Sequence, residues 1–181
     1  MRFHRTAVDG VVVVELEEQA DERGFFARIF DATDFAAEGL DTAVVQCNTS
    51  YNRCAGTLRG LHRQRPPFAE GKLVRCVAGA IADVAVDVRP TSPTHMRHAL
   101  VELSAANRLA LFVPPYVAHG FLTIVNGTEV TYQMSGPHVP EAGEGFRHDD
   151  PAFGVEWPAE VQVISDRDAS WPLLDRRGAP S

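Results

Sequence analysis

His62 lies in the stretch Gly56-Thr57-Leu58-Arg59-Gly60-Leu61-His62-Arg63-Gln64, with Arg59 just before it and Lys72 a short way after. An imidazole can take and return a proton near neutral pH. A guanidinium grips an anion through two hydrogen bonds, and an ammonium is a point charge for a developing oxyanion. These residue types fit an anionic substrate and a proton transfer. Taken singly, Arg23, Arg59 and Lys72 read equally as solvated charges or surface ion pairs. Two of them flank His62 in a chain of net charge -7, so any anion site is a recessed local pocket rather than a general field.

Other residues are less specific. His119, in Pro114-Pro115-Tyr116-Val117-Ala118-His119-Gly120-Phe121, and His62 each read alone as a satisfied structural histidine. A metal site would want at least three protein ligands. His62 is followed two positions on by Gln64 rather than a second His, and no metal is expected. Cys76 alternates with Val74 and reads as small packing, while nothing marks Cys47 or Cys54 as a thiolate. Tyr132 reads as a core tyrosine and Asp168 as a loop carboxylate. No Gly-x-Ser-x-Gly elbow or glycine-rich phosphate loop is present.

The elements that must position these groups are mostly strands. Val11 to Leu16, Phe25 to Phe30, Val44 to Asn48 and Gly56 to Gln64 read as extended, with a turn at Asp21-Glu22-Arg23-Gly24. Asp31 to Glu38 is the best helix candidate, capped by Asp31 or Thr33 and ended by Gly39. Lys72 to Val77 and Ile81 to Val88 are two strands around a tight turn at Gly79. In the second, Asp83 and Asp87 share a face opposite Val84, Val86 and Val88, which predicts one apolar face and one facing a polar cavity or water. Ala99 to Leu103, Leu109 to Val113, Gly120 to Val125 and Glu129 to Gln133 continue the series. Asn126-Gly127 predicts a hairpin between the last two. Val161 to Ser165 reads as a last short strand, and the tail from about 176 as loose. The pattern is an all-β sandwich or barrel, one domain over residues 1–181.

Composition narrows the class. Hydrophobic residues are 45% and charged residues 23%, ordinary for a soluble globular protein. Net negative charge argues against nucleic acid, and no stretch is long enough to span a bilayer. The N-terminus lacks the apolar run of a signal peptide, and three cysteines without metal-type spacing fit reduced thiols, so a cytoplasmic location is expected.

From about Val11 to Pro172 the chain resembles the dTDP-4-dehydrorhamnose 3,5-epimerase family of cupin-fold sugar-nucleotide epimerases. The resemblance rests on Asp21-Glu-Arg-Gly-Phe-Phe26, Gln46-Cys-Asn-Thr-Ser50, Gly56 to His62 with Gln64, and Lys72-Leu-Val-Arg75. It continues through Asp83 to Arg89 with Ser92-Pro-Thr94, Pro114 with Ala118-His-Gly-Phe121, Tyr132, Trp157-Pro158, and Ser165 with Asp168. It implies a cupin-type jelly roll (a double-stranded β-helix) with a few short helices, a homodimer, a nucleotide-sugar substrate and no cofactor. It further implies His62 as the base that removes a proton next to a C4 ketone, Asp168 as its carboxylate partner, Tyr132 as the acid on the opposite face and Lys72 as the cation at the ketone oxygen. Arg59 and His119 become substrate contacts, Gln46 and Asn48 line the nucleotide site, and Arg167 meets the diphosphate. Arg23 and Phe26 match residues reaching the partner's site.

The chain also departs from the family pattern. Arg63 stands where an aromatic residue is common, Arg28 where a glutamate is, His148 where a tryptophan is, and His138 where a tyrosine stacks on the base; Glu144 matches a family glutamate one position out of register. The proton-moving set is intact and the nucleotide side is altered. Three readings follow: inversion of C3 and C5 of a dTDP-linked 4-keto-6-deoxyhexose, inversion of C3 alone in a secondary-metabolite deoxysugar pathway, or a non-catalytic sugar-nucleotide-binding cupin.

Overall fold

The computed structural model describes residues 1–174. The tail expected to be loose lies outside them. The strands are β1 (Arg2–Arg5), β2 (Val12–Glu15), β3 (Gln19–Asp21), β4 (Gly24–Phe26), β5 (Gln46–Asn52), β6 (Leu58–Gln64), β7 (Lys72–Ala78), β8 (Ala80–Val86), β9 (His98–Ser104), β10 (Ala110–Val113), β11 (Ala118–Thr123), β12 (Thr128–Met134) and β13 (Gly143–Gly145). Two short helices, α1 (Ala32–Ala37) and α2 (Asp166–Ala169), complete the set. Asp31 caps α1 by accepting from the N–H groups of Thr33 and Asp34, as its sequence predicts.

Six strands form one antiparallel sheet in the order β1-β2-β10-β7-β12-β5, and five form a second in the order β13-β6-β11-β8-β9. They face each other as a jelly roll. Between them lies a core in which Val74, Leu111 and Val130 of the larger sheet meet Ile81, Ala85, Leu103 and Phe121 of the smaller. Both outer faces are also covered: Phe35 of α1 packs over Val12, Val14 and Phe112, while Phe146 and Phe153 pack over Leu61, Val84 and Val86. Each such side chain contributes roughly 1.5–3 kcal/mol by leaving water.

This layering corrects several expectations. β8 has no water-facing side: Ala85 enters the inter-sheet core, Val84 and Val86 enter the outer one, and both Asp83 and Asp87 are fully buried. Asn126-Gly127 does not close a hairpin, because β11 pairs with β6 and β8 whereas β12 pairs with β5 and β7. The turn carries the chain from one sheet to the other. The strand expected over Phe25 to Phe30 stops at Phe26, and Val161 to Ser165 makes one parallel bridge, Val163 with Thr57. The short strands β1, β3 and β13 carry too few residues for a readable alternation.

Candidate active site

A cavity of about 640 Å³ opens between the two sheets. His62, Arg59 and His119 enter it from β6 and β11, and Lys72, Tyr132, Gln46 and Asn48 from β7, β12 and β5. Arg167 and Asp168 come from α2, and His138 from the segment after β12. Ten of the twelve site residues expected from sequence therefore share one cavity. Arg23 and Phe26 do not. They lie on the β3–β4 hairpin, with Phe26 67% exposed and Arg23 ion-paired to Asp21.

Arg59 and His62 both point inward although a regular strand would send residues three apart to opposite faces. The reason is a bulge: His119 registers with His62 and Phe121 with Arg59, so β6 carries one extra residue there. Gly60 makes this possible. Its φ is +129°, and a Cβ would come 2.5 Å from the Gly120 Cα.

The bulge is also where the Asp168 carboxylate docks. Asp168 Oδ1 lies 2.6 Å from His62 Nε2, and Asp168 Oδ2 accepts from the Gly60 N–H at 3.3 Å. Ser165 caps α2 by accepting from the Asp168 N–H. Burial pushes the Asp168 carboxyl up, but the hydrogen bond and charge of His62, with help from the Gly60 N–H and Ser165, outweigh it and hold the group below its ordinary range. An ionised Asp168 accepts Nε2–H, which leaves Nδ1 as the ring nitrogen with a free lone pair. The His62 side chain is 45% exposed to the cavity side while Asp168 is buried.

Tyr132 stands on the other sheet. Its hydroxyl lies 2.9 Å from Ser50 Oγ, and burial first of all pushes its pKa up to about 12, so the phenol keeps its proton at neutral pH. Lys72 is nearly buried; its Nζ lies 3.2 Å from Glu70 Oε1 and donates to the His62 carbonyl at 3.4 Å. A second carboxylate–imidazole pair sits deeper, with Asp83 Oδ1 2.7 Å from His119 Nε2 and both groups buried.

Several functional neighbours escaped the sequence reading. Ser50 and Asn52 continue the period-two polar stripe of Gln46 and Asn48 along β5, a signal that was available. Ser50 meets Tyr132, and Asn52 accepts from Arg59 Nε at 2.7 Å. Asp83 finds its partner through the pairing of β8 with β11, and Glu70 lies just before β7, two residues from Lys72. Arg63 donates from Nε to Glu144 at 2.6 Å and lies over the Phe146 ring at 5.3 Å, so both departures from the family pattern line the cavity as one ion pair. His138 is placed by backbone: its N–H donates to Gln46 Oε1, and Gln64 holds the flanking Pro137 and Val139. Arg28 pairs with Asp31 away from the cavity. Among the described residues no three His, Cys, Asp or Glu side chains converge as a metal-ligand set, and no helix is long and apolar enough to cross a membrane.

A jelly roll with a carboxylate-backed imidazole and a buried phenol on facing sheets defines a cupin-fold enzyme of the isomerase class, and comparison with known proteins agrees. The chain belongs to the dTDP-4-dehydrorhamnose 3,5-epimerase family, whose model matches residues 5–176. It is 41% identical over 175 residues to the dTDP-4-dehydrorhamnose 3,5-epimerase of Sinorhizobium fredii, covering 96% of this chain and 90% of that one. The Bacillus anthracis dTDP-4-dehydrorhamnose 3,5-epimerase, solved with TDP and PPi bound, superposes with a TM-score of 0.91 at 36% identity, covering 96% and 99% of the two chains. ChmJ, a 3'-monoepimerase from Streptomyces bikiniensis solved with dTDP-quinovose, gives 0.86 at 31% identity over 94% and 86%.

Proposed function

We propose that this enzyme inverts C3 and C5 of a dTDP-linked 4-keto-6-deoxyhexose through an enolate. The observation that carries the reading is topological: His62 and Tyr132 line one cavity from opposite sheets. Inversion needs a proton taken from one side of a carbon and returned to the other, so one base cannot do the whole task.

In this reading His62 Nδ1 removes the proton next to the ketone, and Asp168 stabilises the imidazolium that forms. A positioned base contributes about 10²–10⁴-fold. The Lys72 ammonium meets the ketone oxygen as it becomes an oxyanion, worth about 10²–10³-fold for a single donor. Tyr132, still protonated, delivers its proton to the opposite face, and Ser50 donates to the phenolate left behind. Arg59 and His119 hold the sugar. Gln46, Asn48 and His138 line the nucleotide end, and Arg167 meets the diphosphate. Arg23 and Phe26 serve the partner's cavity in a homodimer. Every group in the proton transfer itself, His62, Asp168, Lys72 and Tyr132, lines the cavity of one chain.

The test is incubation with dTDP-4-keto-6-deoxyglucose in heavy water, with the exchanged positions read by NMR. Deuterium at C3 and C5 is expected; no exchange at either would sink the reading and leave a non-catalytic binding protein. The likeness to a protein named as a 3'-monoepimerase supports a second reading, inversion at C3 alone. Deuterium confined to C3 selects it.

A further inference from the structure

Lys72 is the only lysine in the chain; every other permanently charged side-chain cation is an arginine. Its surroundings contain a carboxylate that the reaction above does not use. Glu70 is buried, its side chain 5% exposed, and its Oε1 lies 3.2 Å from Nζ. An ammonium carries three protons. One points to Glu70 and one to the His62 carbonyl at 3.4 Å, which leaves a single N–H with no protein acceptor among the described residues. Both Glu70 and Lys72 line the cavity.

The backbone under this pair is clamped. The Gly71 N–H donates to Ser135 Oγ at 2.8 Å, and the Ser135 N–H donates to the Gly71 carbonyl at 2.9 Å. A Cβ at Gly136 would come 2.4 Å from the Ala69 carbonyl oxygen, so the two segments pack backbone to backbone. Glu70 therefore sits on a fixed platform, not on a drifting loop. A lysine stem has four rotatable bonds and strays widely unless its head is tied. Tying two of three donors fixes the direction of the third.

We propose that Glu70 is a positioning residue for Lys72: it anchors the ammonium so that its one free N–H is aimed at the oxygen that becomes the enolate. The proposal rests on Lys72 acting at that oxygen, as read above. It makes geometry, rather than the charge of Glu70, the quantity that matters.

Two substitutions separate those quantities. Glu70→Gln keeps an oxygen acceptor at the same reach and removes the charge. Glu70→Asp keeps the charge and withdraws the acceptor by one methylene. Because the chain has one lysine, labelling with ¹³Cε-lysine gives one side-chain signal, whose relaxation reports the order of Lys72 in each variant. Glu70→Gln is expected to keep that order and to hold kcat within about threefold. Glu70→Asp is expected to loosen the signal and to lower kcat about tenfold or more with KM nearly unchanged, the pattern of a displaced transition-state donor. Equal order in both variants overturns the proposal, and so does loosening in Glu70→Gln alone. If Lys72 loosens as expected but the wild-type protein exchanges no proton of any 4-keto sugar nucleotide, the anchoring stands and the substrate reading falls.

Discussion

Tyr132 and His62 face the same cavity and, in the proposed mechanism, take opposite tasks. The phenol is buried and raised to about 12, so it enters the reaction protonated. The imidazole is backed by an ionised carboxylate, which stabilises the imidazolium formed when the ring takes a proton. Replacing Tyr132 with Phe should spare proton removal and impair inversion. Deuterium exchange at C3 should persist while net epimerisation falls about 10²-fold or more, the scale of a lost general acid. Equal loss of both in NMR time courses would argue that Tyr132 also takes part in proton removal. Residue types alone suggested the first half of this picture. Residue types nominated the imidazole, only the resemblance added the tyrosine, and only the fold puts them on facing sheets.

Elements decide how well those groups are held. The bulge in β6 turns both Arg59 and His62 inward and offers the Gly60 N–H to Asp168. Gly60→Ala places a Cβ against the Gly120 backbone at a positive φ. It should cost of the order of 1–3 kcal/mol of stability and about 100-fold in kcat, since a shift near 1 Å at the base suffices for that; thermal melts and steady-state kinetics measure the two. The loop after β8 is held by Asp87, which accepts from the Arg89 guanidinium and from Ser92 and Thr94. Burial raises its carboxyl, but those donors win and depress it well below the ordinary 3.8. A depressed carboxyl contributes stability that is whole above the unfolded value and is lost as pH falls through the folded one. Asp87→Ala should therefore cost about 3 kcal/mol at neutral pH and remove that component of acid unfolding below about pH 4, read from urea melts across pH. In sequence Asp87 looked like a twin of Asp83 on one polar face. They diverge because β8 ends at Val86: Asp83 stays within the strand and meets His119 across the sheet, while Asp87 turns into its own loop.

At the scale of the molecule, two residues of the expected site stand outside the cavity of their own chain. Arg23 and Phe26 sit on an exposed hairpin, near the exposed apolar side chains Phe25 and Ile29. A homodimer in which this hairpin completes the neighbour's site predicts a mass twice that of the chain by light scattering. It also predicts complementation: Arg23→Ala and His62→Ala proteins, each impaired alone, should recover activity when refolded together, because one cavity of the mixed dimer has both residues intact. A monomer, or a mixture no more active than its parts, would remove Arg23 and Phe26 from the site.

The sequence by itself determined the class of the fold and the helix at Asp31 to Glu38, and through the family resemblance it nominated His62, Tyr132, Lys72 and Asp168, since period-two alternation, caps and ordered motifs are local or carried by residue type. It misread Asn126-Gly127, because a turn sequence specifies how the chain reverses and not which sheet receives the next strand. It could not pair Asp83 with His119 or Lys72 with the His62 carbonyl. The first contact depends on the pairing of β8 with β11 within one sheet and the second on two sheets closing over one cavity, and both exist only in the folded chain.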